Sequence, residues 1–223
     1  MTYIARGRIY LGGTAWQPVQ QHIEEGIDIT MEITVDVKKR LLEVATNLFA
    51  EKGYDATSVS DLVQAAHVTK GAMYYYFASK EEILLAIHHQ FIESEMNQAE
   101  EILSRHLSPE LTLRSLIVSL IESIALYQNQ VTIFFRELHR LSPTSLEQVR
   151  TIRDQYEQMF ERTIQAGQNN DVFRADMEAR LLALALFGQC NWTYTWMRPA
   201  GRLTPTAIGQ HFADIFLQGI AKS

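Results

Sequence analysis

A chain of 223 residues, 47% hydrophobic and carrying a formal net charge of −6, has enough apolar material for one large or two small globular domains, which excludes a disordered chain. No apolar run approaches the roughly 20 residues that cross a bilayer, and the acidic balance argues against indiscriminate nucleic-acid binding. The single cysteine, Cys190, excludes an intrachain disulfide framework and a multi-cysteine metal site; it reads as a small buried apolar residue of a cytoplasmic protein.

Residues 1–35 mix Gly12, Gly13, Pro18 and glutamine pairs with β-branched residues and show no sustained period, so they read as a loosely ordered N-terminal extension. The apolar stretch Ile9–Leu11 is too short for a signal-peptide core. Met31, just before the first periodic segment, is a candidate translation start. From Val37 the pattern is helical: Leu41, Ala45, Leu48 and Phe49 share a face, and Lys52–Gly53 is a helix ending. Thr57 or Ser58 caps a second helix carrying Leu62, Val63 and Ala66. His67–Val68 form a turn, Thr69 caps a short third helix ending near Phe77, and Ser79 opens a fourth with Glu81 and Glu82 in its first turn.

Longer helices follow. Leu113, Leu116, Ile117, Leu120, Ile121, Ile124 and Tyr127 form a stripe after Pro109. Pro143 opens another helix, with Val149, Ile152, Tyr156, Phe160, Thr163 and Ile164 inward, closed by Gly167 and Asn169–Asn170. The last two span about Asp176 to Met197 and Pro205 to Ala221. No alternating strand pattern of useful length interrupts them. The fold class is all-α, with an extension at 1–35, a three-helix helix-turn-helix unit at 36–84 and a helical ligand-binding and dimerisation domain at 85–223.

Three short helices joined by tight turns are the helix-turn-helix layout. On the third, Met73, Tyr76 and Phe77 are spaced to dock inward, while Lys70, Gly71, Tyr74 and Tyr75 lie opposite. One cation, one bare backbone position and two phenols suit a DNA groove: lysine reaches a phosphate or guanine edge and tyrosine donates to phosphates. A basic patch is missing. Between Asp36 and Glu82 six cations (Lys38, Lys39, Arg40, Lys52, Lys70, Lys80) face seven acids (Asp36, Glu43, Glu51, Asp55, Asp61, Glu81, Glu82), so helix N-termini at Thr57–Ser58, Thr69–Lys70 and Ser79–Lys80 are expected to supply part of the positive potential.

Residues 37–84 resemble the DNA-binding domain of TetR/AcrR-family regulators. The resemblance runs from Leu48–Phe49–Ala50–Glu51–Lys52–Gly53–Tyr54 through Thr57–Ser58, Asp61–Leu62, Ala65–Ala66 and Val68–Thr69–Lys70–Gly71 to Tyr74, Tyr76–Phe77 and Ser79–Lys80–Glu81–Glu82–Ile83–Leu84. It implies that Thr69, Lys70, Gly71, Tyr74 and Tyr75 face the major groove of a palindromic operator and that Thr57, Ser58 and Lys80 hold its backbone. His67 stands where the family usually has glycine in the turn; histidine tolerates left-handed geometry better than most residues, so modest strain is expected.

Residues 85–223 match that family in outline only. The family's last two helices usually form a four-helix bundle with a second subunit. Leu181, Leu182, Ala185, Leu186, Gly188 and Gln189, with Ile208, Phe212, Ile215, Phe216 and Gly219, independently carry more apolar surface than a small monomer buries. An apolar cavity among the middle helices is expected, with Tyr127, Phe134, Phe135, Arg136, Tyr156, Phe160, Asn191 and Trp192 as candidate contacts for a small hydrophobic effector and His139 or Arg153 as further polar wall groups. The stretch Asn191–Pro199 and Gly201–Pro205 resembles a segment of regulators of fatty-acid and steroid catabolism, which implies an acyl-CoA effector; a drug-responsive efflux regulator is the alternative.

Against an enzyme stands the lack of any catalytic constellation, phosphate-binding glycine loop or metal motif, and no cofactor is implied. His88 and His89 are adjacent, so on a helix they diverge and chelate poorly. A helical adaptor without DNA binding is the remaining rival, and salt-sensitive operator binding separates it from a regulator.

Overall fold

The computed structural model describes residues 37–198 and 200–222 with their side chains, and the backbone alone at residues 3–5, 8–10 and 21–36. Residues 1–39 form one compact unit and residues 40–223 another. In the first, β1 (Tyr3–Ala5) pairs antiparallel with β2 (Arg8–Tyr10), Tyr3 opposite Tyr10 and Ala5 opposite Arg8. The helix α1 (Gln21–Lys52) begins in that unit.

The sequence shows no sustained period over residues 1–35, whereas α1 runs back to Gln21. Between Gln21 and Val37 there is no proline, and Gly26 is the one glycine. Once the periodic segment beyond Val37 is helical, each residue added backwards gains a hydrogen bond at little cost, and nothing there stops it.

The second unit is helical among the described residues. After α1 come α2 (Val59–Ala65), α3 (Lys70–Tyr76), α4 (Lys80–Ser104), α5 (Pro109–Leu126), α6 (Gln128–Glu137) with a 3₁₀ turn at Leu138–Arg140, and α7 (Pro143–Asn169). The last three are α8 (Ala179–Asn191), α9 (Thr193–Trp196) and α10 (Pro205–Ile220). Three helices share one sequence device at their start: Ser108–Pro109, Ser142–Pro143 and Thr204–Pro205. Each hydroxyl accepts the N–H three residues on, and each proline occupies a first-turn position that needs no donor.

Helix α5 is the axis of the larger domain. Leu113, Leu116, Ile117, Leu120, Ile121 and Ile124 are buried in a core shared with α4, α7, α8 and α10. Helix α10 approaches it closely at Gly209, where an added Cβ would lie 2.9 Å from the Val118 Cα. Arg114 Nη1 donates to Asp214 Oδ1 at 2.6 Å across the same pair. Among the described residues no helix is long and apolar enough to cross a membrane.

The sequence spacing places α5, α7 and α10 correctly and misses two boundaries. Helix α8 starts at Ala179, because residues 171–178 are held as a loop: Gln168 Nε2 donates to Arg174 O (3.0 Å) and Met177 O (2.8 Å), while Arg174 N donates to Ile220 O (2.8 Å). The helix then breaks at Trp192, where the Thr193 hydroxyl donates to Cys190 O at 2.7 Å and Gln128 Nε2 donates to Tyr194 O and Met197 O. Helix α6 has no capping side chain; one residue, Tyr127 (φ −106°, ψ 31°), separates it from α5, so no boundary is written into the sequence.

Candidate DNA-reading face and buried cleft

The helix-turn-helix is fastened from within. Helix α1 ends at Gly53, whose φ of +88° only glycine adopts without strain. Ser58 caps α2 in a reciprocal box: its hydroxyl accepts Asp61 N (3.1 Å), and the Asp61 carboxylate accepts Ser58 N (2.8 Å) and the Ser58 hydroxyl (2.7 Å). Those bonds hold the exposed Asp61 carboxyl below its ordinary range. The turn between α2 and α3 passes through His67 at φ +53°, the left-handed geometry expected of it. Val68 N donating to Val63 O (2.9 Å) closes the turn, and the Thr69 hydroxyl caps α3 by accepting Ala72 N.

Helix α3 divides by face. Met73 and Phe77 are buried, Tyr76 is half-buried, and α3 packs with α2. Thr69, Lys70, Gly71, Tyr74 and Tyr75 are exposed, Tyr74 by 52% and Tyr75 by 79%. An added Cβ at Gly71 would meet only the Thr69 Oγ1, at 3.8 Å. Internal packing therefore does not require the glycine, and its bare backbone faces outward.

Two residues expected on the DNA backbone are turned inward. Thr57 is fully buried, its hydroxyl donating to Gly53 O (2.8 Å) and within reach of Leu48 O (3.3 Å). Lys80 Nζ donates to Tyr54 O (2.7 Å) and Thr57 O (2.9 Å) and lies 4.0 Å from the Tyr54 ring centroid. Both brace the 53–58 turn by donating to its carbonyls, of which Tyr54 O also accepts Thr57 N at 3.2 Å. Ser58 stays at the surface as the cap of α2.

The same turn is tied to the larger domain. Tyr54 N donates to Glu137 Oε1 (3.4 Å), and Arg140 pairs with Asp55. At the start of α4, Glu81 Oε1 accepts Ser142 N (2.9 Å) and the Ser145 hydroxyl (2.8 Å), bonds that hold its carboxyl below the ordinary range.

Within the larger domain a narrow, partly open cleft, closely filled by its own side chains, lies among α4, α5, α6, α7 and α8. Phe134, Phe135, Tyr156 and Asn191 line it, together with His88, Phe91, Glu95, Val131, Arg153, Glu157 and Phe187. The other four candidates lie elsewhere. Phe160 is buried in the core against Phe187 (4.7 Å between ring centroids), and Tyr127 is turned to Ser94, to which its hydroxyl donates at 3.2 Å. Arg136 is exposed on the outer face of α6, and Trp192 is 65% exposed where α8 ends. A periodic aromatic shows that a helix has an apolar face, not whether that face meets packing or a void.

Beyond Arg153, Tyr156 and Asn191, the cleft holds polar groups that the sequence analysis does not assign to it, although the sequence carries a signal for them. His88, Phe91, Ile92 and Glu95 recur at i, i+3, i+4, i+7 on α4, so two titratable groups sit in an apolar stripe. Burial, then the neighbouring His89 and Arg153, depress the His88 imidazole to about 3. Burial pushes the Glu95 carboxyl up to about 8; Ser123 beside it and Arg153 offset part of that rise. Burial and the nearby Glu95 likewise raise the Tyr156 phenol. At neutral pH the cleft therefore holds a neutral imidazole and a protonated acid, while Arg153 packs 5.0 Å from the Phe134 ring centroid and pairs with Glu157 at 3.5 Å. Among the described residues no three metal-binding side chains converge.

A short helix anchored by one face and bare on the other, propped outward by two more, defines a helix-turn-helix DNA-binding regulator. The comparisons specify which kind. Residues 41–87 match the model of bacterial regulatory proteins of the tetR family, and residues 106–220 match the tetracyclin repressor-like C-terminal domain. The chain belongs to the TetR family of transcriptional regulators. It is 30% identical over 183 residues to the HTH-type transcriptional repressor KstR2 of Mycobacterium tuberculosis, covering 82% of this chain and 92% of that one. The structure of that organism's ketosteroid transcriptional regulator KstR2 superimposes with a TM-score of 0.76 at 29% identity, covering 83% of this chain and 95% of its own. The TetR-family regulator PfmR from Thermus thermophilus gives 0.75 at 30% identity, covering 80% and 97%.

The buried carboxyl sets a pH dependence. Glu95 keeps its proton to about pH 8 when folded and loses it near 4.5 when unfolded, so between those values the folded state binds more protons and stability falls as pH rises. His88 acts in a lower window: folded it stays neutral down to about 3, so its contribution is lost as pH falls from 6.5. Glu95→Gln should therefore remove a loss approaching ~1.4 kcal/mol per pH unit between pH 5 and 8, measured by urea unfolding of both proteins across that range. Parallel curves would show Glu95 ionised in the fold.

Proposed function

We propose that this protein is a dimeric repressor that holds a palindromic operator through α3 and releases it when a mostly apolar effector enters the cleft between α4 and α7. The observation that carries the reading is the division of α3, with Lys70, Gly71, Tyr74 and Tyr75 outward over a buried Met73 and Phe77. Kinship with repressors supports the sense of regulation. The similarity to a ketosteroid regulator and the resemblance of Asn191–Pro199 to lipid-catabolism regulators favour a steroid- or fatty-acid-derived effector, an acyl-CoA thioester among them.

The dimer is read from α8 and α10. Leu182, Leu186, Ile208 and Phe216 are buried in the chain's own core, so only part of the apolar surface expected at an interface is available. What remains is Leu181 (59% exposed), Leu184 (46%) and Trp192 (65%) along α8, and Ile215 (62%) on α10. Between them Gly188 and Gly219 have open space where a side chain would be, which lets a partner helix approach closely. Two subunits joined there would present their α3 helices to major grooves one turn apart, roughly 34–36 Å.

Coupling follows from α6. Its Phe134 and Phe135 form one cleft wall, and beyond them Glu137 and Arg140 grip Tyr54 and Asp55 beside the α2 start. An effector that shifts α6 moves the turn that orients α3, and operator release requires the effector to bind that second arrangement more tightly.

A gel shift with the DNA upstream of the protein's own gene tests DNA binding: Lys70→Ala and Tyr74→Ala should each cost ~1–3 kcal/mol of operator affinity, with the dimer intact on size-exclusion chromatography. Unchanged affinity in both variants would remove α3 from the interface. In Arg140→Ala combined with Glu81→Gln, operator affinity should change little, whereas the effector concentration that halves the shifted complex should rise about tenfold, within the range of ordinary coupling energies. An unchanged release curve would place the coupling elsewhere.

A further inference from the structure

The cleft is apolar with one discordant region. Glu95 is 4% exposed, and its Oε1 makes no hydrogen bond of good geometry; the buried Ser123 hydroxyl beside it on α5 makes none either, though it is near enough to lower the Glu95 pKa. Two turns earlier on α4, roughly 10 Å along the axis, both ring nitrogens of the buried His88 are also without partners. Buried polar groups left unpaired cost about 1–3 kcal/mol each, and native proteins keep few of them. Four such atoms near one cleft in a single domain imply that something other than this chain satisfies them.

Resting on the reading of the cleft as the effector site, we propose that Glu95 and Ser123 form a subsite for one uncharged hydroxyl or ketone group of an elongated apolar effector, with His88 as a second contact about two helical turns away. The atoms fit that chemistry. A carboxylic acid, a hydroxyl and a neutral imidazole each offer both a donor and an acceptor, so they match a hydroxyl or a ketone without any change of charge. An ammonium group fits poorly, because Arg153 lies in the same cleft and already pairs with Glu157. A carboxylate fits poorly, because it would meet Glu95 in a site that disfavours charge. The subsite rejects the plain hydrocarbon by a different route: an analogue without the polar group leaves the same atoms buried and unpaired.

Four eight-carbon probes whose chains span about the His88–Glu95 distance test this by isothermal titration calorimetry on the full chain: 1-octanol, n-octane, octylamine and octanoate. The expected result is that 1-octanol binds at least about tenfold more tightly than the other three, a step of one decade in Kd. The Glu95→Leu/Ser123→Ala variant should erase the preference of octanol over octane, weakening octanol binding and strengthening that of octane, and Glu95→Gln, which still donates and accepts, should keep it. Equal binding of octanol and octane, with both lost in Phe134→Ala, would overturn the subsite and leave the cleft reading standing. Tightest binding of octylamine would make Glu95 a counter-ion, tightest binding of octanoate would make Arg153 the anchor, and either result overturns the proposal. No binding of any probe, or binding unaffected by Phe134→Ala, would overturn the cleft reading and the subsite together.

Discussion

Burial of Met73 and Phe77 is the constraint on which the rest of the molecule turns. A seven-residue helix has too few hydrogen bonds to persist alone, so α3 exists because these two side chains are fixed in the core. Fixing them also fixes the other face. With 3.6 residues per turn, Lys70, Gly71, Tyr74 and Tyr75 have no direction left but outward. The Thr69 cap and the left-handed His67 set where the helix begins, and Thr57 with Lys80 hold the preceding turn from behind.

The exposed side of α3 carries no acid although the chain as a whole is acidic. Lys80 is directed into the fold, and Asp61 and Glu81 are engaged by the Ser58 cap and the Ser142–Ser145 helix start. The groups that remain outward on α3 carry one cation and no acid. The net charge of −6 is therefore carried by residues outside that face.

Much of this was legible in the sequence because it is local. Caps at Ser58, Thr69 and Ser79, the Lys52–Gly53 ending and the Ser/Thr–Pro starts act within three or four residues, and the structure keeps them all. The helix running back to Gln21 was not legible, since cooperative extension leaves no motif. Neither was the inward turn of Thr57 and Lys80, which depends on where the carbonyls of the 53–58 turn point. In the larger domain the stripe of α5 was evident, whereas the cleft depends on how five helices meet. Tyr127, Phe160 and Trp192 share the aromatic character of Phe134 and Tyr156 yet lie in other surroundings. His88 and Glu95 were the readable clue, as titratable groups inside an apolar period.

The most direct measurement is photo-crosslinking from a benzoylphenylalanine placed at Tyr75 and, as a control, at Phe135. The account predicts a crosslink to operator DNA from position 75 that unlabelled operator competes away and unrelated DNA does not, and none from position 135. A protein that still retards the operator but crosslinks from position 135 and not from position 75 would contradict it.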